Sequence, residues 1–278
     1  MPPPSLPDLA PLAGLLVLLE LAVGTVTVSA ALDQAGRVGR GFAGTTAAIC
    51  VLLMGADLLL ISGASDIGAL LHRTVDPEAT ATFVHGAVAF TALLAADVLF
   101  AAVGTEIARR VVALATIGVG LATVVATAAA IGPAVGGTAA AALEFFPAVL
   151  LGGGALAGML LGHWYLVTPS LSFRPLRLSI YTVFAAVAID SVAIAIALVT
   201  AAPATRARVL SGDQAPLFWL LVVGAGVLFT AAVSALTLHF ARIRANQPAT
   251  AMLYVLIISV VMALVPAHLI FLLTGAAV

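Results

Sequence analysis

The sequence predicts an all-α integral membrane protein of about eight transmembrane helices, with both termini on the outer side. Three observations predict it. The 278 residues are 63% hydrophobic and 8% charged, with a mean hydropathy of +1.23, so lipid must solvate most of the surface. Apolar runs long enough to span a bilayer recur along the whole chain, and no polar stretch between them is long enough to fold separately. The basic residues are distributed unevenly between alternate connections.

Taken in order, the runs are Leu9 to Leu32, Gly41 to Gly63, Thr80 to Gly104, Val111 to Gly132, Pro147 to Thr168, Leu178 to Ala202, Leu217 to Ala241 and Thr250 to Gly275. Charge or turn chemistry separates them, as in Asp33 to Arg40, Asp76-Pro77-Glu78 and Asn246-Gln247-Pro248. The weakest separation is the fairly apolar stretch from Gly136 to Phe146, which reads as an interfacial segment with Glu144 reaching the outer interface. The N-terminal MPPPSLPDLA lacks the positive n-region of a secretory signal, so the first run is expected to be retained.

Arg37 with Arg40, Arg109 with Arg110, Arg174 with Arg177 and Arg242 with Arg244 fall in the first, third, fifth and seventh connections. The others hold only Arg73, Arg206 and Arg208, diluted by Asp66, Asp76, Glu78 and Asp213. The positive-inside rule then makes the four pairs cytoplasmic and predicts a multi-pass protein of the plasma (inner) membrane. A single membrane domain, 1–278, is expected to divide into four-helix halves, 1–132 and 133–278. Val98-Leu99-Phe100 before Arg109 and Arg110 is echoed by Val227-Leu228-Phe229 before Arg242 and Arg244, an offset of 227 minus 98, or 129. Arg37-x-x-Arg40 is matched likewise by Arg174-x-x-Arg177.

A formal net charge of −1 gives no basic face for nucleic acid. All eleven basic residues are arginine, which removes Walker-loop, Schiff-base and lysine-base chemistries. Cys50, the single cysteine, allows no intrachain disulfide, CxxC metal site or CxxCH haem attachment. No nucleophile elbow or zinc motif occurs, and whether the chain is an enzyme stays open.

Polar groups in lipid need a partner or a purpose. By depth, His85 and His268 fall toward the outer face and His163 and His239 toward the inner one, giving two same-level pairs on different helices. Two b-type haems, each with two axial imidazoles, require such an arrangement. On this reading His85 with His268 and His163 with His239 ligate haem b, and Arg174, Arg177, Arg242 and Arg244 hold the propionates. The stripe Gly154, Gly158, Gly162 leaves room for a macrocycle or a partner helix, and Trp164 and Tyr165 pack on a ring edge or anchor the interface. Histidines near helix ends also bond to headgroups or water, and His72 reads as solvated. Glu20, Asp57, Asp97 and Asp190 lie within apolar runs as proton-relay candidates or as hydrogen-bonding acids between helices, while Asp33 and Glu106 read as solvated ion partners.

The plan is similar to that of polytopic b-type cytochromes, which implies electron transfer through two haems, linked to quinone or to other membrane subunits. Two alternatives stand beside it. One is a proton-coupled secondary transporter of two repeats, using the buried acids as coupling sites. The other is a non-catalytic membrane subunit or assembly factor that docks on other chains through its Gly- and Ala-rich faces.

Overall fold

The computed structural model describes residues 5–36, 38–63, 67–71, 73 and 75–278. Arg37, Asp66 and His72, each assigned a place above, lie outside the described residues. Among those described there is no strand, and eight helices are long and apolar enough to cross a membrane. They are α1 (Leu6–Gly36), α2 (Arg40–Gly63), α3 (Pro77–Val103), α4 (Glu106–Val135), α5 (Thr138–Val167), α6 (Arg174–Thr200), α7 (Ala215–Arg242) and α8 (Asn246–Thr274). Two short helices, Ile67–Leu71 and Pro203–Leu210, lie in the connections.

Backbone polar groups have no water to bond to in hydrocarbon, so helices satisfy them internally and local chemistry sets the ends. Asp76 caps α3 by accepting from the Glu78 amide, with Pro77 opening the helix. Thr105 caps α4 through the Ala108 amide. Gly275 ends α8 with φ 77°, a left-handed conformation that favours glycine. The interfacial segment expected over Gly136 to Phe146 is instead the start of α5, which begins at Thr138 and carries Pro147 inside it. Proline is tolerated there because neighbouring helices stabilise the interrupted turn.

Burial sorts the helices into two classes. α1, α5 and α8 are enclosed over most of their length, and the others bury mainly one side. Leu52, Leu59, Leu99, Leu114, Leu220 and Leu228 are exposed on those outer helices, where lipid is their natural solvent.

Helix packing follows a regular pattern. α1 packs on α2, α2 on α3, α3 on α4 and α4 on α1, closing a ring, and α5, α6, α7 and α8 close a second ring in the same order. Between the rings α1 meets α5, α4 meets α8, α1 meets both α6 and α8, and α5 meets both α2 and α4. Exchanging each helix for the one four places on leaves this set of contacts unchanged.

Glycine governs the central contact. A Cβ built on Gly24 of α1 would lie 1.9 Å from the Val149 carbonyl oxygen and 2.7 Å from the Gly153 Cα of α5. The two backbones therefore touch, as small residues permit in membrane helix pairs. The C-terminal glycines of α4 and α8 also meet, and a Cβ on Gly136 would lie 2.4 Å from the Gly275 carbonyl oxygen.

The Val98 to Phe100 echo is not in structural register. By helix ends α3 and α7 differ by 138 (215 minus 77) or 139 (242 minus 103) residues, against the 129 of the letter match. Val, Leu and Phe are common in any spanning helix, so short matches arise by composition.

Gly24→Ala is expected to lower stability by about 1–3 kcal/mol or more, because the added methyl has only backbone to displace. Gly55→Ala, whose added Cβ meets nothing within 4 Å, serves as the control and should be neutral or mildly stabilising. Thermal melting in detergent checks this, and equal melting of the two variants would contradict the contact.

Candidate functional site

Among the described residues the strongest concentration of buried polar chemistry surrounds His268 of α8. Its ring is wholly enclosed, with Nε2 2.7 Å from Glu20 Oε2 of α1 and Nδ1 2.9 Å from Glu144 Oε1 of α5. Glu144 is held in turn by the Val278 backbone amide, which donates to its Oε2 over 2.7 Å. Phe145 closes one side of the imidazole edge-on, with ring centroids 5.9 Å apart. Pro147 and Pro266 lie within one turn of Glu144 and His268, and each removes a backbone donor there.

Local structure explains how three separate helices supply one cluster. Glu20 stands one turn before Gly24, so the α1–α5 backbone contact places its carboxylate deep in the interface. Asp190 of α6 lies within electrostatic reach of Glu144, His268 and Glu20, and with Glu144 it lines a small cavity of about 10 Å³. That volume suits at most one water, which needs polar partners of this kind. Val222 of α7, from a stretch of wide π-type winding over Phe218–Phe229, faces the same cavity. Such windings are uncommon and gather at functional positions.

The cluster's charge is tightly constrained. With both carboxylates ionised and the imidazole protonated it carries one negative charge, and one further proton makes it neutral. Either state keeps both hydrogen bonds, because imidazolium donates twice and neutral imidazole donates once and accepts once from a carboxylic acid. The arrangement can therefore gain or lose a proton with its geometry kept, in a site where an unpaired charge would be costly.

The histidines do not fit the axial pairs that two haems would need. Both nitrogens of His268 are engaged by carboxylates, and its expected partner His85 is exposed on α3, which packs on α2 and α4. His163 and His239 are exposed as well, with His163 Nδ1 3.2 Å from the Tyr254 hydroxyl and His239 edge-on to its neighbour Phe240. Their helices α5 and α7 belong to different edges of the second ring, bridged by α6 and α8. Among the described residues, no group of three or more His, Cys, Asp or Glu side chains could hold a metal ion.

The expected propionate arginines line no buried site. Arg174, Arg242 and Arg244 are exposed and Arg177 half-buried, with Arg242 reaching the Tyr181 hydroxyl over 3.3 Å. The glycine stripe serves helix packing: Gly154 faces Val183, Gly158 faces Leu253 and Ser179, and Gly162 faces Leu253 and Thr250.

Of the four acids singled out from sequence, Glu20 and Asp190 join the His268 cluster. Asp57 is fully buried with neither carboxyl oxygen hydrogen-bonded, and Asp97 sits apart in the first ring. Glu144 was expected at the outer interface, and its place in the cluster is a correction that follows from α5 starting at Thr138. Asp33 is also less solvated than expected, because it pairs with the buried Arg109 at 2.8 Å.

The chain matches no protein-family model and shows no significant similarity to a characterised protein or a solved structure.

Removing the imidazole leaves two buried carboxylates facing one another. His268→Leu should cost about 3–5 kcal/mol, and adding Glu20→Gln and Glu144→Gln to it should recover more than half of the lost melting temperature. A His268→Leu protein that melts with the wild type would show that these groups do not depend on one another.

Proposed function

We propose that this chain is a proton-coupled membrane transporter built of two parallel four-helix halves, with Glu20, His268 and Glu144 as its proton-binding element. The observation that carries the reading is the hydrogen-bond chain from Glu20 through both ring nitrogens of His268 to Glu144, which joins the first ring to the second inside a dehydrated interface.

Several features support it. The contacts between rings are invariant under exchange of α1–α4 with α5–α8, as a two-fold axis along the membrane normal requires. On such an axis, equivalent positions touch each other, as Gly136 and Gly275, each one residue past the end of α4 and α8, do, and Gly24 meets Gly153 within a turn of its own equivalent. Repeat-built transporters place their coupling sites at the interface between repeats, where helices depart from regular winding. Here the acids meet at that interface, and the π-wound stretch of α7 borders it.

Access from one end would require the Gly275–Val278 segment to move. A cleft of about 470 Å³ opens between the ends of α4, α5, α6 and α8, and the segment Gly275–Val278 lies between it and the Glu144–Asp190 cavity. A proton reaching Glu144 passes to Nδ1 of the imidazole as the proton on Nε2 moves to Glu20, so each bond broken is replaced by one formed. Glu20 Oε1 has no partner in the buried state and is the remaining acceptor in this chain. Rocking of one half on the other about the Gly24–Gly153 contact would open or close the Glu20–His268 bond, because its partners belong to different halves. We place the arginine-rich end in the cytoplasm of a plasma-membrane topology.

Rapid pH jumps on protein-loaded solid-supported membranes test the reading without knowledge of the substrate. The wild type should give a transient current from proton binding, which Glu20→Gln or His268→Gln reduces more than about tenfold. His163→Ala and His239→Ala should leave it within about twofold, since both rings are exposed and lie outside the cluster. No transient in the wild type, or full transients in Glu20→Gln and His268→Gln, would overturn the assignment.

A further inference from the structure

The first ring contains a second cavity, away from the histidine cluster, whose mostly apolar wall carries a few charged and hydroxyl side chains. A cavity of about 50 Å³ is lined by all four helices of this ring, with Ser29 and Asp33 of α1, Thr46 of α2, Asp97 of α3 and Arg109 of α4. The rest of the lining is Val26 and alanines. All these positions fall at the arginine-rich end of the bundle, opposite the end toward which His268 lies.

Charge within the cavity is unbalanced by one. Arg109 pairs with Asp33 and Glu106 at 2.8 Å, and Arg110 pairs with Glu106 at 2.8 Å. Those two guanidiniums and two carboxylates cancel. Asp97 is 9% exposed, lies beside Thr116 and feels Arg109 only at a distance, without an ion pair of its own. When ionised, its carboxylate is the charge left without a counter-charge in the cavity.

Two hydroxyls point to what balances it. Most buried hydroxyls donate to a backbone carbonyl, as Thr116, Thr123, Thr127 and Thr237 do four residues back, whereas Thr25 and Ser234, away from this cavity, and Ser29 and Thr46 have no partner. Ser29 and Thr46, 5% and 2% exposed, line the cavity with no hydrogen-bond partner at Oγ or Oγ1. A buried hydroxyl left unpaired costs free energy that a ligand can recover.

We propose that this cavity is a binding site for an alkali cation, held by the Asp97 carboxylate with the Ser29 and Thr46 hydroxyl oxygens. The ligand set is hard oxygen, as such ions prefer. A single surplus carboxylate matches a monovalent ion, whereas a divalent one would leave an uncompensated positive charge among alanines. The volume admits about three or four water-sized spheres, enough for a partly dehydrated ion and too little for a bulky organic cation. The site stands on the first ring alone and does not depend on the proton reading of the second.

Thermal unfolding of the purified full chain in lipid nanodiscs, titrated with NaCl, KCl or LiCl against choline chloride at constant ionic strength, tests it. At least one alkali ion should raise the melting temperature saturably, and Asp97→Asn should abolish the effect. Thr46→Val and Ser29→Ala, which keep every charge, should each weaken the apparent affinity about tenfold. His163→Gln, at an exposed position outside both sites, should leave the affinity unchanged. If choline matches all three alkali ions in the wild type, or if the ion effect survives both Asp97→Asn and Thr46→Val, the site is not a cation site.

Discussion

The contact between the backbones of Gly24 and Gly153 is the constraint on which the interior depends. In hydrocarbon the hydrophobic effect gives helices no reason to associate, so close packing and hydrogen bonds must hold them together. Bare glycine surfaces let α1 and α5 approach until one backbone lies against the other. That approach carries Glu20, one turn away, into a space enclosed by α5 and α8, where only another protein group can satisfy it. His268 does so, and its second nitrogen recruits Glu144. Packing and polarity thus support each other: the glycines create the dehydrated space, and the carboxylate–imidazole bonds tie together the helices that enclose it.

The rings resemble each other in packing and differ in chemistry. The first places its ionic groups, Arg109, Asp33, Glu106 and Asp97, at the arginine-rich end, while the second gathers Glu144, Asp190 and His268 toward the opposite end. Glu20 belongs to the first ring by sequence and to the second by contact. A movement of one ring against the other therefore acts on a protonatable bond directly, and on the Asp97 cavity through the helix α1 that the two sites share. Coupling of this sort needs no conduit between the sites, only one rigid element whose position both of them bias.

The sequence made the spans legible because an apolar run bounded by charge has few other readings, and seven of the eight runs fall within their helices to a few residues at each end. The exception was α5. Ala-rich Gly136 to Phe146 lacks a charge to mark a boundary, and Pro147 read as a helix start although it lies inside the helix. Glu144 was displaced to the interface as a result. Azimuth was harder to read than depth. Helices such as α3 and α8 are apolar all round, so nothing in their sequences tells which side meets protein and which meets lipid. His85 and His268 could be placed at a common level, and yet one is exposed and the other is enclosed by two acids. The same limit hid the contact face of α5: Gly154, Gly158 and Gly162 stood out by spacing, whereas Gly153 makes the tightest contact.

The central claim is that one imidazole, isolated from water, is hydrogen-bonded at both nitrogens by carboxylates from the two helix rings. Nitrogen-15 NMR of histidine-labelled protein in lipid bilayers, with His72, His85, His163 and His239 replaced so that only His268 reports, measures this directly. The account predicts that both ring nitrogens carry the shifts of hydrogen-bonded sites and that their protons exchange with deuterated water slowly. Ring nitrogens with the shifts of free imidazole, whose protons exchange rapidly, would contradict it.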